Sequence, residues 1–314
     1  MDAQRRFKAL AEGIDVAAGR ALSLGQSARL RTVRDALFLE EIQSSIRLAG
    51  SLLTTAELRG LLERGRALGE HRLSDYIIAA GYADAARYVA AQEAIAERKP
   101  RPYLRLEEVV ELHLRATRGA PGEHPGRWRT TTLPASASGV VAPPPWKIAA
   151  EMRSFVDRIE NGPAARMPPT LWASGALERL TRLQPFGTAN GRVARLTLNL
   201  LLRRLGLPPF IVPRDRERYQ SALQSAQAGQ PWELAYLVTK SVADGLARLA
   251  ETHEPSALEL LAQIAPEHER AALYKAAQRG RLRTVRQGAH LYTTRAWLDA
   301  YTASRSPAGR KPQR

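Results

Sequence analysis

Residues 184–195 run Gln184-Pro185-Phe186-Gly187-Thr188-Ala189-Asn190-Gly191-Arg192-Val193-Ala194-Arg195, and Leu196-Thr197-Leu198-Asn199-Leu200-Leu201-Leu202 follow directly. The pattern predicts a loop of small residues that opens a strongly apolar helix, Val193 to Leu205, closed by Gly206. Such a loop can present backbone N–H groups to a phosphate, and the helix dipole adds to the attraction. Ala189, Asn190 and Gly191 leave room for that approach. Arg192 and Arg195 stand at i and i+3, one turn apart on one side of the helix, where two guanidiniums would make a polyphosphate cradle. Taken alone, Gly-Arg-x-x-Arg reads as a loop-to-helix junction whose arginines pair with acids or lie at the surface.

The 314 residues are enough for two domains, or for one large domain with an appendage. A hydrophobic content of 44% supports a core, and with only 6% aromatics Leu and Ala must fill it, which favours helices. The absence of cysteine excludes disulfides, thiolate metal sites and thiol nucleophiles. Six histidines (His71, His113, His124, His253, His268, His290) show neither H-x3-H nor H-E-x-x-H spacing, so no metal site is expected. There is no apolar run of about 18 residues, so no membrane span is expected. Met1-Asp2-Ala3-Gln4-Arg5-Arg6 lacks the apolar stretch of a signal peptide, which leaves the cytoplasm as the expected location.

The net charge of +16 suggests a polyanionic partner. Arginine-rich codon usage would spread such an excess evenly. Here residues 270–314 carry eleven Lys/Arg against one acid, Asp299, a net +10 of the +16. That concentration favours a terminal domain that faces nucleic acid.

Along the chain, residues 1–100 read as an N-terminal helical region. Val33, Leu37, Ile42 and Ile46 share a helix face, with a break expected at Ser44 to Gly50. Thr54 with Glu57 predicts a capping box, Ser74 predicts a second N-cap, and Gly81 predicts a turn before an Ala-rich helix. Residues 101–252 read as a second helical domain, with helices at Leu104–Ala116, Trp146–Ile159 and after Pro168-Pro169. It holds one Thr/Ser-rich stretch, Arg127 to Val141, expected to form a short hairpin before the rigid Pro143-Pro144-Pro145. Residues 255–303 predict two short helices (the first Ala257 to Ile264), a hairpin turning at Gln287-Gly288-Ala289, and a last helix. Residues 304–314 predict a disordered basic tail.

The segment 184–195 resembles the active-site loop of the Fic (Fido-domain) family, whose pattern is H-P-F-x-[D/E]-G-N-G-R-x-x-R. Pro-Phe, Asn-Gly and both arginines stand in register, while Gln184 takes the His position and Thr188 the acid position. Further segments fall in the family's order. Pro125-Gly126-Arg127-Trp128-Arg129 resembles the start of a flap hairpin, Val141-Ala142-Pro143-Pro144-Pro145 the stretch after it, Gly206-Leu207-Pro208-Pro209 the turn after the motif helix, and Arg216 to Leu223 the D-R-x-x-Y-x-x-A-L segment. The resemblance spans about residues 30–250 and implies a mostly α-helical Fido domain with a short β-hairpin flap. It implies nucleotide contacts at Ala189, Asn190, Gly191, Arg192 and Arg195, and a protein target beside the flap residues Trp128 and Arg129.

In the family the loop His is the base for a target hydroxyl, the acid holds Mg²⁺ on ATP, and AMP moves to the target. A carboxamide such as Gln184 cannot take up a proton near neutral pH. Thr188 offers one neutral oxygen where a hard cation requires a carboxylate. Many members also carry an inhibitory helix, [S/T]-x-x-x-E-[G/N], whose Glu pairs with the second loop arginine. Ser45-Ile46-Arg47-Leu48-Ala49-Gly50 aligns with it, with Ala49 at the Glu position. The implied protein is a catalytically degenerate Fido domain that binds ATP or another nucleotide without metal. The alternatives are a divergent but active protein AMP-transferase and a non-catalytic scaffold.

Ala271 to Gly288 resembles the second helix and wing of a winged helix-turn-helix of the excisionase or MerR type, with Ala296-Trp297-Leu298-Asp299-Ala300-Tyr301 as its closing helix. Tyr274, Lys275, Gln278 and Arg279 share one broad helix face suited to a DNA groove, and Arg283, Arg286 and His290 would meet phosphates. DNA is the expected partner, the protein a nucleotide-responsive regulator, and a nucleoid association follows. A small helical cap with a solvated basic face is the plain alternative.

Overall fold

A computed structural model describes residues 2–22, 28–92, 103–120, 124–134, 141–161, 167–251, 259–282, 284–287, 290–293 and 295–304. The chain forms two compact units, Met1–Ala250 and Glu251–Arg314. The segments 1–100 and 101–252, expected as separate regions, are one unit: a single apolar cluster runs from Ile14 to Leu246. None of the described helices is long and apolar enough to cross a membrane.

The described helices of the first unit are α1 (Ala3–Leu22), α2 (Ala28–Leu48), α3 (Thr55–Arg64), α4 (Leu73–Ala91), α5 (Leu106–Thr117), α6 (Ile148–Asn161), α7 (Pro169–Leu183), α8 (Asn190–Arg204), α9 (Arg216–Gln227) and α10 (Trp232–Glu251). Helix α8 is the hub. Twelve of its fifteen residues are buried, and it packs against α7, α4, α5 and α2. Its apolar run is apolar on nearly every side, the pattern of a helix enclosed by others rather than lying on a surface. Gly206, with φ of 72°, ends it as the sequence predicts.

Thr54 forms the expected capping box with Glu57, and Gly65 closes α3 in the left-handed region at φ 62°. Three local expectations are corrected. Helix α2 does not break at Ser44. The Ser44 hydroxyl donates back to the Glu41 carbonyl at 2.9 Å and accepts from the Val212 amide at 3.1 Å, so its polar demand is met without leaving the helix. Helix α4 starts after Arg72 rather than at Ser74, and Gly81 is no turn but lies inside it. A Cβ on Gly81 would stand 3.0 Å from the carbonyl oxygens of Arg115 and Ala116. The glycine is required by the close approach of α4 to α5 (Leu106–Thr117).

The hairpin expected over Arg127 to Val141 is also revised. Described residues 124–134 and 141–144 hold turns and irregular backbone with no strand, and the would-be tip at 135–140 lies outside the described residues. The Arg129 amide donates to the Pro185 carbonyl at 3.0 Å, so this segment pairs with the 184–189 loop.

The second unit holds strands β1 (Glu259–Leu260), β2 (Val285–Gln287) and β3 (His290–Thr293) in the antiparallel order β1-β3-β2. Gln287 faces His290, which fits the expected hairpin. Its described helices are α11 (Leu261–Ile264), α12 (Arg270–Gln278) and α13 (Arg295–Ser304). The helix expected from Ala257 begins only at Leu261, because Glu259 and Leu260 pair with β3. Leu261, Ala265, Leu273, Ala276 and Leu282 form a small core. The expected tail beyond Ser304 and Arg283 of the wing lie outside the described residues.

Gly81→Ala is expected to lower unfolding stability by about 1–2 kcal/mol. Backbone overpacking against α5 outweighs the helix-propensity gain of roughly 1 kcal/mol. Denaturant titration measures this, and a stabilised variant would show that the two helices have room to part.

Candidate functional site

The loop between α7 and α8 holds both of the non-glycine residues that have positive φ among the described residues, Gln184 at 44° and Ala189 at 58°. A side chain in that region costs on the order of 1–2 kcal/mol, and such strain persists only where neighbours fix it. Two side chains do so. Arg129 donates from Nε to the Gln184 carbonyl at 2.7 Å, from Nη1 to the Thr131 carbonyl at 3.0 Å and from Nη2 to the Pro143 carbonyl. The Asn190 carboxamide accepts from the Phe186 amide at 2.9 Å and donates to the Phe186 carbonyl at 2.8 Å. Arg129 is buried, so it is a staple of the loop and not, as the sequence predicts, a surface contact for a target. Desolvation by burial holds its pKa below the ordinary arginine value.

Phe186 is the loop's anchor. It stacks on His113 of α5 with centroids 3.8 Å apart and packs on Trp128 at 4.8 Å. His113 Nδ1 accepts from the Gly126 amide at 3.0 Å, so the ring's proton sits on Nε2, and the Thr188 backbone acts on the ring. Desolvation, helped by the Arg192 charge, lowers the His113 pKa from 6.5 to about 4, and the ring is neutral at physiological pH. His113, His124, Arg127, Trp128, Arg129, Thr130, Thr131, Gly187 and Thr188 line a cavity of about 370 Å³ beside the loop.

The two loop arginines do not share one open face as the sequence predicts. Both are buried and they diverge. Arg192 Nη1 donates to the Ala116 carbonyl at the end of α5, 2.9 Å away. Arg195 turns to α2, donating from Nε to Ser45 Oγ at 2.6 Å and from Nη2 to the Ser45 carbonyl at 3.2 Å. Its Nη1 stays beside the loop, 3.3 Å from where a Cβ on Gly191 would lie. Ala49 is exposed.

Close to Arg195 is a buried group that sequence reasoning missed. Glu41 of α2 accepts from the Tyr82 hydroxyl at 2.5 Å and from Asn199 Nδ2 at 2.8 Å. Burial raises its pKa from 4.5 to about 7, while Tyr82, Arg195, Asn199 and Arg203 pull it down. In sequence Glu41 reads as one more acid on a helix beside Glu40. Only its one-turn offset from Ser45 (i, i+4) hinted that it would share that inward face.

Gln184 and Thr188 stand at the two ends of the strained turn, Thr188 exposed. A divalent cation does not fit there: Thr188 brings one neutral oxygen, and no group of three or more His, Cys, Asp or Glu gathers among the described residues. In the second unit Lys275, Gln278, Arg279 and His290 are exposed. Tyr274, expected on the same face, is partly buried and packs against the small core of that unit. Arg286 lies on β2 opposite Leu291.

The depressed His113 pKa makes a pH test. Its folded value lies below its unfolded value, so its contribution is complete above about 6.5 and is lost as pH falls toward 4. Glu41 is shifted the opposite way and opposes it in the total. The readout is therefore the difference between the unaltered chain and His113→Gln, which should narrow by about 3 kcal/mol across that window. A pH-independent difference would mean that the ring titrates normally in the fold.

Residues 103–202 match the model of the Fic/DOC family. Over 227 residues the chain is 28% identical to "Protein adenylyltransferase Fic" of Drosophila mojavensis, covering 72% of this chain and 43% of that protein. It spans roughly two fifths of the length of the curated relatives it matches. Among solved structures, Fic-1 (residues 134–508) of C. elegans superposes at TM-score 0.68 and 22% identity, over 78% of this chain and 71% of that one. A Fic family protein of Desulfovibrio desulfuricans G20 superposes at TM-score 0.59 and 16% identity, over 96% and 97%. The strained loop, its staples and all but the end of the helix it opens thus lie within the stretch matched, and the chain carries a Fic/DOC-family domain at residues 103–202.

Proposed function

We propose that this Fic-domain chain binds a polyphosphate anion at the 184–191 loop without transferring AMP, and that its second unit binds DNA, making it a nucleotide-responsive regulator. The carrying observation is that Gln184 and Thr188 stand at the base and acid positions of a loop that keeps Pro185-Phe186, Asn190-Gly191 and both arginines, with Ala189 in place of the pattern's Gly as a further departure. Gln184 holds the base position on a strained turn stapled by Arg129, where a carboxamide has no basic lone pair to offer. Thr188 replaces the metal-binding acid. Loss of the base alone costs roughly 10²–10⁴ in rate. Arg195 Nη1 and the small residues around Gly191 still favour an anion.

The test is transfer of label from α-labelled ATP to protein, including the chain itself, with Mg²⁺ present. The unaltered chain is expected to give no label above background, and Gln184→His with Thr188→Asp is expected to raise labelling at least tenfold. Robust labelling by the unaltered chain would overturn the proposal and establish the second reading, an active transferase, which the curated relatives' name, protein adenylyltransferase, favours.

The DNA reading rests on Lys275, Gln278, Arg279 and His290, all exposed on one small unit rich in basic residues, and on its winged-helix-like order of helix α12, β-hairpin and helix α13. Binding of duplex DNA by the full chain across a salt series should fall with a log–log slope of about −0.9 per phosphate contacted. Lys275→Glu with Arg279→Glu should weaken it at least tenfold and flatten the slope. No binding, or binding untouched by the pair, would reduce the unit to a basic cap.

A further inference from the structure

Arg195 joins two sites that the fold otherwise keeps apart. Its Nη1 lies 3.3 Å from where a Cβ on Gly191 would stand, in the first turn of α8 next to the loop, while Nε and Nη2 reach Ser45 on α2. One turn before Ser45 is Glu41, a fully enclosed carboxyl held by Tyr82 of α4 and Asn199 of α8. The Tyr82 hydroxyl also interacts with Ser45, and Tyr219 of α9 with Arg195. The charged and titratable groups around Glu41 are therefore Tyr82, Arg195 and Arg203, with Tyr219 behind Arg195. Its neighbour on α2, Glu40, is taken by Arg248 at 2.7 Å.

A buried carboxylate depends on nearby positive charge to stay ionised. Arg195 supplies part of that charge to Glu41. An anion in the loop would place negative charge on the same guanidinium from its other side. Glu41 would lose part of its compensation, and its neutral, protonated form would gain. By reciprocity, protonating Glu41 leaves more of the Arg195 charge for the anion.

Resting on the anion site proposed above, we propose that anion binding at the 184–191 loop is coupled through Arg195 to proton uptake by Glu41. The carboxyl gains one O–H bond and its proton comes from solvent. Because the free carboxyl titrates at about 7, the coupling acts at neutral pH. Below that pH Glu41 is already protonated and affinity is flat. Above it affinity falls as pH rises, with a limiting slope of tenfold per unit for one proton.

Isothermal titration of ATP without metal into the full chain, in two buffers of different ionisation heat at pH 7.5, counts the protons taken up. Comparison with Glu41→Gln, which keeps the acceptor oxygen for Tyr82 and Asn199, cancels the titration of ATP itself. The unaltered chain is expected to take up a fraction of a proton more than the variant, and to lose affinity between pH 7 and 8.5 relative to it. Equal proton counts with binding intact would overturn the coupling alone, whereas no ATP heat in either protein would overturn the anion site and the coupling together. Carbon-13 NMR of the glutamate carboxyls in the unaltered chain is independent of how the variant folds. One carboxyl should titrate near neutrality and move to higher pH when ATP is added, and a midpoint unmoved by bound ATP would also overturn the coupling.

Discussion

Helix α8 must be buried on every side, yet its sequence carries three arginines and an asparagine into the interior, and the surrounding helices are arranged to satisfy them. An uncompensated buried charge costs several kcal/mol, so each needs a dedicated partner. Arg192 takes the Ala116 carbonyl of α5, Arg195 takes Ser45 of α2, and Arg204 pairs with Glu108 of α5 under the Tyr103 ring, 3.8 Å from its centroid. Asn199 donates to Glu41 and accepts from the Phe210 amide at 2.8 Å, fixing the turn after the helix. These bonds set where α2 and α5 lie. The loop at the start of α8 is thus the mouth of a polar seam through the core.

That seam keeps the loop strained whatever side chains stand at 184 and 188. The left-handed conformations of Gln184 and Ala189 are held by Arg129 and Asn190, whose bonds go to backbone carbonyls and amides. None of these bonds involves the Gln184 or Thr188 side chain. The side chains at those two positions can therefore change while the turn remains.

What the sequence discloses is what is encoded locally. The Thr54–Glu57 box is legible because both partners lie within one turn, and α8 because its apolar run exceeds any amphipathic period. The loop is legible because its residue order is distinctive. Gly81 is misread as a turn because its purpose lies 35 positions away, in carbonyls of α5 that demand a residue without Cβ. Ser44 is misread as a helix breaker because its second partner is Val212. Arg129 looks like a surface cation until three carbonyls are seen to enclose it. His113 carries no local signature and Glu41 only its one-turn offset from Ser45: the one is defined by stacking on Phe186, the other by enclosure between α4 and α8.

The resemblance to an inhibitory helix gains a physical meaning at Arg195. An acid paired with that guanidinium would have to be displaced before an anion could take it, and breaking a buried ion pair costs about 3–5 kcal/mol. Here Ala49 is exposed and the grip comes from the hydroxyl and carbonyl of Ser45. Hydrogen bonds to a charged group are worth roughly 1.5–3 kcal/mol each. The acid that remains, Glu41, lies eight residues earlier, about 12 Å along the helix at 1.5 Å per residue, and is itself half-neutralised by burial near pH 7. Arg195 is therefore held in place without being discharged. Its orientation is fixed by neutral groups, the hydroxyl and carbonyl of Ser45, while its charge acts on the buried Glu41 carboxyl.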